Sequence, residues 1–126
     1  MAFTLDTPSY ALIDGVLCKL NRKCAVVRRH APMGLLVEEF LVHEDRILVR
    51  ESGDGVLLGM TNLYCLDADL RLRWLAESLA GGDVYAGPLS MAQGHVCCPT
   101  RLGKSCELAL EDGLPIRGEA MALLKT

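Results

Sequence analysis

The sequence predicts an all-β domain built from consecutive antiparallel four-stranded units, in the manner of part of a β-propeller, with a self-closed β-sandwich or barrel as the alternative. Apolar runs of strand length recur between short turn signals, and no window of a dozen residues sustains the spacing of an amphipathic helix. A strand–turn–strand pattern is written twice, at 62–74 and again at 106–117. The segments 35–77 and 84–119 each divide into four strands of similar length in the same order. A repeat of roughly 40 to 50 residues with four strands is the mark of a propeller unit. At 126 residues and 13.7 kDa, residues 1–126 are expected to form one domain.

Taken in order, the first strands are Tyr10 to Ile13 and Val16 to Leu20, joined by Asp14-Gly15, a good hairpin signal between two apolar runs. Asn21 to Lys23 makes the next turn and Cys24 to Arg29 the third strand. Pro32-Met33-Gly34 punctuates the chain before Leu35 to Val42, the turn His43-Glu44-Asp45, and Arg46 to Arg50. Ser52-Gly53-Asp54-Gly55 is the most loop-like segment. Asn62 to Asp67 and Arg71 to Leu75 follow, with Leu72 and Trp74 on one face of the latter and Arg71 and Arg73 on the other. A helical turn is expected at Ala76 to Leu79, ending at Gly81-Gly82, and a second helical segment at Glu119 to Leu124. Between them fall strands at Val84 to Met91, His95 to Thr100, Ser105 to Leu110 and Leu114 to Gly118.

Composition narrows the function classes. Hydrophobic residues make up 51% against 23% charged, which excludes a disordered chain and points to extensive burial, including a subunit interface. No stretch of about 18 apolar residues is present, so no transmembrane helix and no membrane association are expected. Met1 to Tyr10 contains Asp6 and Pro8 and lacks a basic start leading into an apolar run, so a cytoplasmic location is expected. Cys18, Cys24, Cys65, Cys97, Cys98 and Cys106 mostly fall inside apolar strand patterns and read as reduced. The net charge of −3 argues against nucleic acid as a partner. Residues 1–30 nevertheless carry five cations and two aspartates, a balance of +3, so the remainder carries −6.

Leu63-Tyr64-Cys65-Leu66-Asp67-Ala68-Asp69, followed by Trp74, resembles the repeat of quinoprotein-type (PQQ-like) β-propellers, over one to two units of the chain. The resemblance implies that Asp67 closes the hairpin of two outer strands and that Trp74 docks between neighbouring blades. Leu70 stands where the family has Gly, and Arg117 stands in the second copy where Trp is expected. The family's enzymes enclose a quinone within six to eight blades. A chain of 126 residues holds at most three, so no cofactor is expected. Two or three stacked units would expose sheet faces and edges, which predicts a homo-oligomer that completes a ring.

Chemistry-bearing residues are sparse. His95 and Cys97 share a strand face, and with Cys106 from the neighbouring strand they are the one set of metal-ligand types for zinc, against a reading as small buried side chains. His30, His43 and Asp45 are of the types that nucleophilic catalysis uses, but no local signature joins them. Asp67, Asp69, Glu111 and Asp112 read as turn-capping residues. Gly53-Asp54-Gly55 lacks the Lys-Ser/Thr ending of a phosphate loop. Lys19, Arg22, Lys23, Arg28 and Arg29 form the candidate contact surface for an anionic ligand or an acidic protein partner. The expected function is a small, non-catalytic, self-associating binding or scaffold protein. The alternative is an enzyme with a pocket at a subunit interface, with His95, Cys97 and Cys106 as its metal-dependent centre.

Overall fold

The computed structural model describes residues 9–57 and 59–116, and among these ten strands form three antiparallel sheets. The first is a meander of β1 (Ser9–Ile13), β2 (Val16–Leu20) and β3 (Val26–His30). The second holds β4 (Val37–His43), β5 (Arg46–Glu51), β6 (Leu63–Asp67) and β7 (Leu72–Leu75) in sequence order. The third is β8 (Ser90–Ala92), β9 (His95–Pro99) and β10 (Ser105–Ala109). The chain is all-β, and its consecutive sheets stack face to face without closing into a barrel, as units of a partial propeller do.

The central sheet organises the other two. Ile47-Leu48-Val49 and Leu63-Tyr64-Cys65-Leu66 are buried without interruption, the pattern of strands covered on both faces. Strand alternation divides them between two apolar layers. Ile47, Val49, Tyr64 and Leu66 pack with Leu17 and Val37, with Tyr10, Leu12 and Phe40 at the margin. Leu48, Leu63 and Cys65 pack with Trp74, Tyr85, Leu89, Val96, Cys98 and Leu108. Each large side chain so buried contributes about 1.5–3 kcal/mol, so neither outer sheet can leave without exposing a full layer.

Directional bonds fix how the second and third sheets meet. Asn62, 2% exposed, donates to the carbonyls of Glu51 (2.9 Å) and Tyr85 (2.8 Å) and accepts from the Tyr85 N–H at 3.0 Å. Glu39 Oε2 accepts from the Leu89 N–H at 2.9 Å, while its Oε1 takes Arg50 Nε at 3.1 Å. Trp74 lies between the sheets, its indole N–H donating to the Leu110 carbonyl at 2.8 Å. The ring lies so close over Gly113 that a Cβ there would sit 2.3 Å from Cε3, and Gly113 has φ +76°. Trp74 thus belongs to the layer between the central and third sheets. Asp67 holds its turn, Oδ1 accepting from the N–H groups of Asp69 (2.8 Å) and Arg71 (3.0 Å). Leu70, in place of Gly, takes φ +66° and buries its side chain against the first sheet's layer.

Several boundaries differ from the sequence expectation. Ala76 to Leu79 is not helical, because Ala76 continues the sheet by donating to the Leu63 carbonyl (2.9 Å) and the Glu77 carbonyl accepts from the Tyr85 hydroxyl (3.0 Å). The only helical turn among the described residues is a 3-10 turn at Ala80–Gly82. Val84 to Met91 is not one strand. Pro88 lacks an N–H, and Tyr85 makes an isolated bridge to Thr100 before pairing resumes at Ser90. The expected strand from Leu114 is a single bridge, Leu108 to Pro115, within the described residues. Arg117, Gly118 and the expected helix at Glu119 to Leu124 lie outside them.

Trp74→Ala should lower the unfolding free energy by about 3–5 kcal/mol, since it opens a cavity and leaves the Leu110 carbonyl without its donor. Gly113→Ala should also destabilise, through collision with the intact ring. Urea denaturation of each variant against the unaltered chain measures both effects.

Candidate functional site

The β3–β4 and β5–β6 connections and the segment after β7 gather at one end of the central sheet, because Val37 pairs with Glu51 and Leu75 with Tyr64 at the strand ends. They enclose a cleft of about 240 Å³. Its walls include Met33, Leu57, Met60 and Leu75, each at least half exposed, and among the described residues its one charged lining residue is Glu51.

Glu51 is 3% exposed because it continues the buried face of Ile47 and Val49 by strand parity. Three donors hold its carboxylate. Oε2 accepts from the Met33 N–H at 2.7 Å and from the Tyr64 hydroxyl, and Oε1 accepts from the Gly34 N–H at 2.7 Å. The Tyr64 proton is committed to Glu51, so its oxygen accepts from His30 Nε2–H at 2.6 Å, which fixes the imidazole tautomer. The rings of His30 and Tyr64 meet at 5.4 Å and a tilt of 59°. Burial and the Glu51 hydrogen bond drive the Tyr64 pKa far up, so the phenol stays a donor. Burial also lowers the His30 pKa against the opposing pull of Glu51, which favours the neutral ring. The relay joins β3 of the first sheet to β5 and β6 of the second and anchors Met33-Gly34 over the cleft.

The residues singled out from sequence fall elsewhere. Lys19 and Arg28 are register partners on the inner face of the first sheet. Lys19 Nζ is 2.7 Å from Asp69 Oδ1, and these contacts, with Arg71 and Arg28 nearby, hold the Asp69 carboxyl below its usual pKa. Arg29, one residue on, projects to the outer face, and Arg22 and Lys23 lie on the β2–β3 turn. The five cations therefore divide between two faces and a turn. His95 and Cys97 do share the outer face of the third sheet, but Cys106 pairs with Cys98 on the inner face. The expected trio is corrected on this point: the residue beside His95 and opposite Cys97 is Glu107, with Oε2 3.1 Å from His95 Nδ1. Among the described residues no group of three His, Cys, Asp or Glu is placed to hold a metal ion. All six cysteines are thiols, and burial pushes Cys65 and Cys98 up to about 11, far from thiolate at neutral pH. His43 and Asp45 sit at the β4–β5 turn, at the other end of the sheet from His30.

The relay was missed as a unit because Glu51 sits in the polar run Arg50-Glu51-Ser52, which reads as a strand end. Its parity with Ile47 and Val49 was the available signal.

No family model and no curated protein matches the chain. Its fold is similar to crystal structures of two computationally designed proteins, Ika8 (TM-score 0.63) and Ika4 (TM-score 0.64), each 13% identical. Each likeness covers 87% of this chain, but only 32% of Ika8 and 63% of Ika4, so the chain spans less than two thirds of either. At this identity the likeness shows the fold alone.

Tyr64→Phe removes one donor from a buried carboxylate and the acceptor of His30, and should cost about 1–3 kcal/mol by chemical denaturation. The depressed His30 pKa makes stability complete above the unfolded-state value of 6.5 and lost as pH falls from there through the folded value. Thermal melts between neutral pH and pH 5 should show this loss, and His30→Gln should flatten it.

Proposed function

We propose that this chain is a small binding or scaffold protein, non-catalytic and cytoplasmic, that works by self-association. In this reading the PQQ-like pattern at Leu63 to Trp74 marks a partial propeller whose ring is completed by a second copy. The observation that carries it is the open stack. The central sheet has a neighbour on each face, whereas among the described residues each outer sheet is packed against a sheet on one face alone, with Cys18 the buried side chain on the far face of the first. The outer face of the first sheet presents Ile13 (44% exposed), Val27 (56%) and Arg29. The outer face of the third presents the small residues Ser90, Ala92, Cys97 and Ala109 around the acidic Glu107, which is held by His95 on the same face. Large apolar side chains against small ones, and Arg29 against Glu107, suit a head-to-tail contact between copies.

One further observation supports the reading. Six thiols without a disulfide suit a reducing compartment. The basic segment supplies the contact surface through Arg29, with Arg22 and Lys23 on the adjoining turn, and an acidic partner or anionic ligand would engage the same residues. No helix among the described residues is long and apolar enough to cross a membrane.

Light scattering across a concentration series should give a mass of at least twice 13.7 kDa for the unaltered chain. Val27→Glu should return it to the single-chain mass, and Glu107→Arg should weaken association by setting like charges together. A single-chain mass at every concentration would sink the proposal.

A further inference from the structure

We propose that the cleft at the end of the central sheet is a binding site for a small primary ammonium compound with an apolar body. The walls supply the apolar half of that recognition. Met33, Leu57, Met60 and Leu75 are 50%, 72%, 59% and 50% exposed, an unusual cost for a water-facing hollow and one that a ligand would relieve. A volume of about 240 Å³ corresponds to about eight water-sized volumes, room for a body of comparable heavy-atom count.

Glu51 supplies the polar half. It is buried to 3% exposure, and its three donors, Met33 N–H, Gly34 N–H and the Tyr64 hydroxyl, are all neutral. Among the described residues no Lys or Arg forms an ion pair with it. The adjacent Arg50 is engaged on the other side of the strand with Glu38 (2.6 Å) and Glu39 (3.1 Å). A carboxylate offers about four acceptor positions, so three donors leave one, on Oε1. A buried negative charge without a formal counter-charge is costly, and neutral hydrogen bonds offset only part of that cost. Of the other polar lining groups, Asn62 makes three bonds, Ser52 Oγ accepts from the Asp54 N–H and Thr61 Oγ1 from the Leu63 N–H, and the hydroxyls of Ser52, Thr61 and Ser78 are neutral and bring no charge to the cleft. The buried charge of the cleft therefore calls for a cationic donor. A carboxylate ligand would meet repulsion at Glu51, and a neutral ligand would gain the apolar walls and the hydroxyls but no ion pair.

The test titrates the full chain with benzylammonium and with its neutral counterpart, benzyl alcohol, following amide chemical shifts and binding heats. Benzylammonium should bind about tenfold more tightly than the alcohol, with the largest shifts at Gly34, Ser52 and Thr61. Met60→Trp, which fills the rim and leaves Glu51 intact, should abolish binding of both. Glu51→Gln should bring the two affinities together. Should Glu51→Gln fail to fold, the selectivity of the unaltered chain and the Met60→Trp result still decide. Equal affinity for the two probes, no binding up to about 10 mM, or shifts centred away from the cleft would overturn the proposal.

Discussion

The central sheet is buried on both faces, and the rest of the molecule follows from that. Ile47 and Val49 look one way and Leu48 the other, and Tyr64 and Leu66 alternate with Leu63 and Cys65 in the same manner. A sheet with two apolar faces cannot end a structure, so it requires a neighbour on each side. The neighbours carry less burial, which alternates in β9 and is sparse in β3 and β10, while β2 buries both Leu17 and Cys18. Stacking in one direction, with no closure inside the chain, is the geometric outcome.

Apolar layers alone would let the sheets slide, since burial has no preferred direction. Register comes from a few polar side chains placed at the sheet ends. Asn62 reads the backbone of both Glu51 and Tyr85, and Glu51 gathers Met33, Gly34 and Tyr64 while Tyr64 reaches His30. Asp83 acts similarly: burial alone would raise its pKa, but donors from Thr100, Leu102 and Val84 and the Lys104 charge bring it below the usual carboxylate value. The same devices shape the cleft, whose floor is a structural carboxylate and whose walls are the connections that it holds.

Much of the strand order was legible because hairpin chemistry is local. Asp14-Gly15 and Gln93-Gly94 adopt the left-handed φ values that two-residue turns require, and the strands flanking Asp14-Gly15 match the apolar runs to within a residue. Errors cluster where the backbone bonds outside a ladder. Tyr85 is extended but pairs with Thr100 in isolation, and Ala76 prolongs a strand despite a helix-favouring sequence, both decided by partners distant in the chain. The placement of Cys106 failed for a related reason: pairing Cys98 with Cys106 is a register fact, and a shift of one residue would have set Cys106 beside Cys97. The cleft was not legible, because its residues come from three connections and its key carboxylate resembles any polar strand end.

The two seams of the stack are built of different materials. The first is clasped at one end by Lys19–Asp69 and the Tyr10 hydroxyl on the Ala68 carbonyl, and at the other by the imidazole–phenol–carboxylate relay, around the smaller apolar layer. The second encloses the larger layer, with Trp74, Tyr85 and two buried thiols, tied by backbone-directed bonds. Acid reaches both seams, the first through the relay and Lys19–Asp69 and the second through Glu39, but the second has the larger apolar layer behind it. Residues 9–30, joined through the smaller layer, are the unit expected to separate first, leaving the central and third sheets together. Such a chain can expose one face of its central sheet transiently without unfolding, and a transiently bare sheet face is the opening through which an identical segment from another copy can exchange.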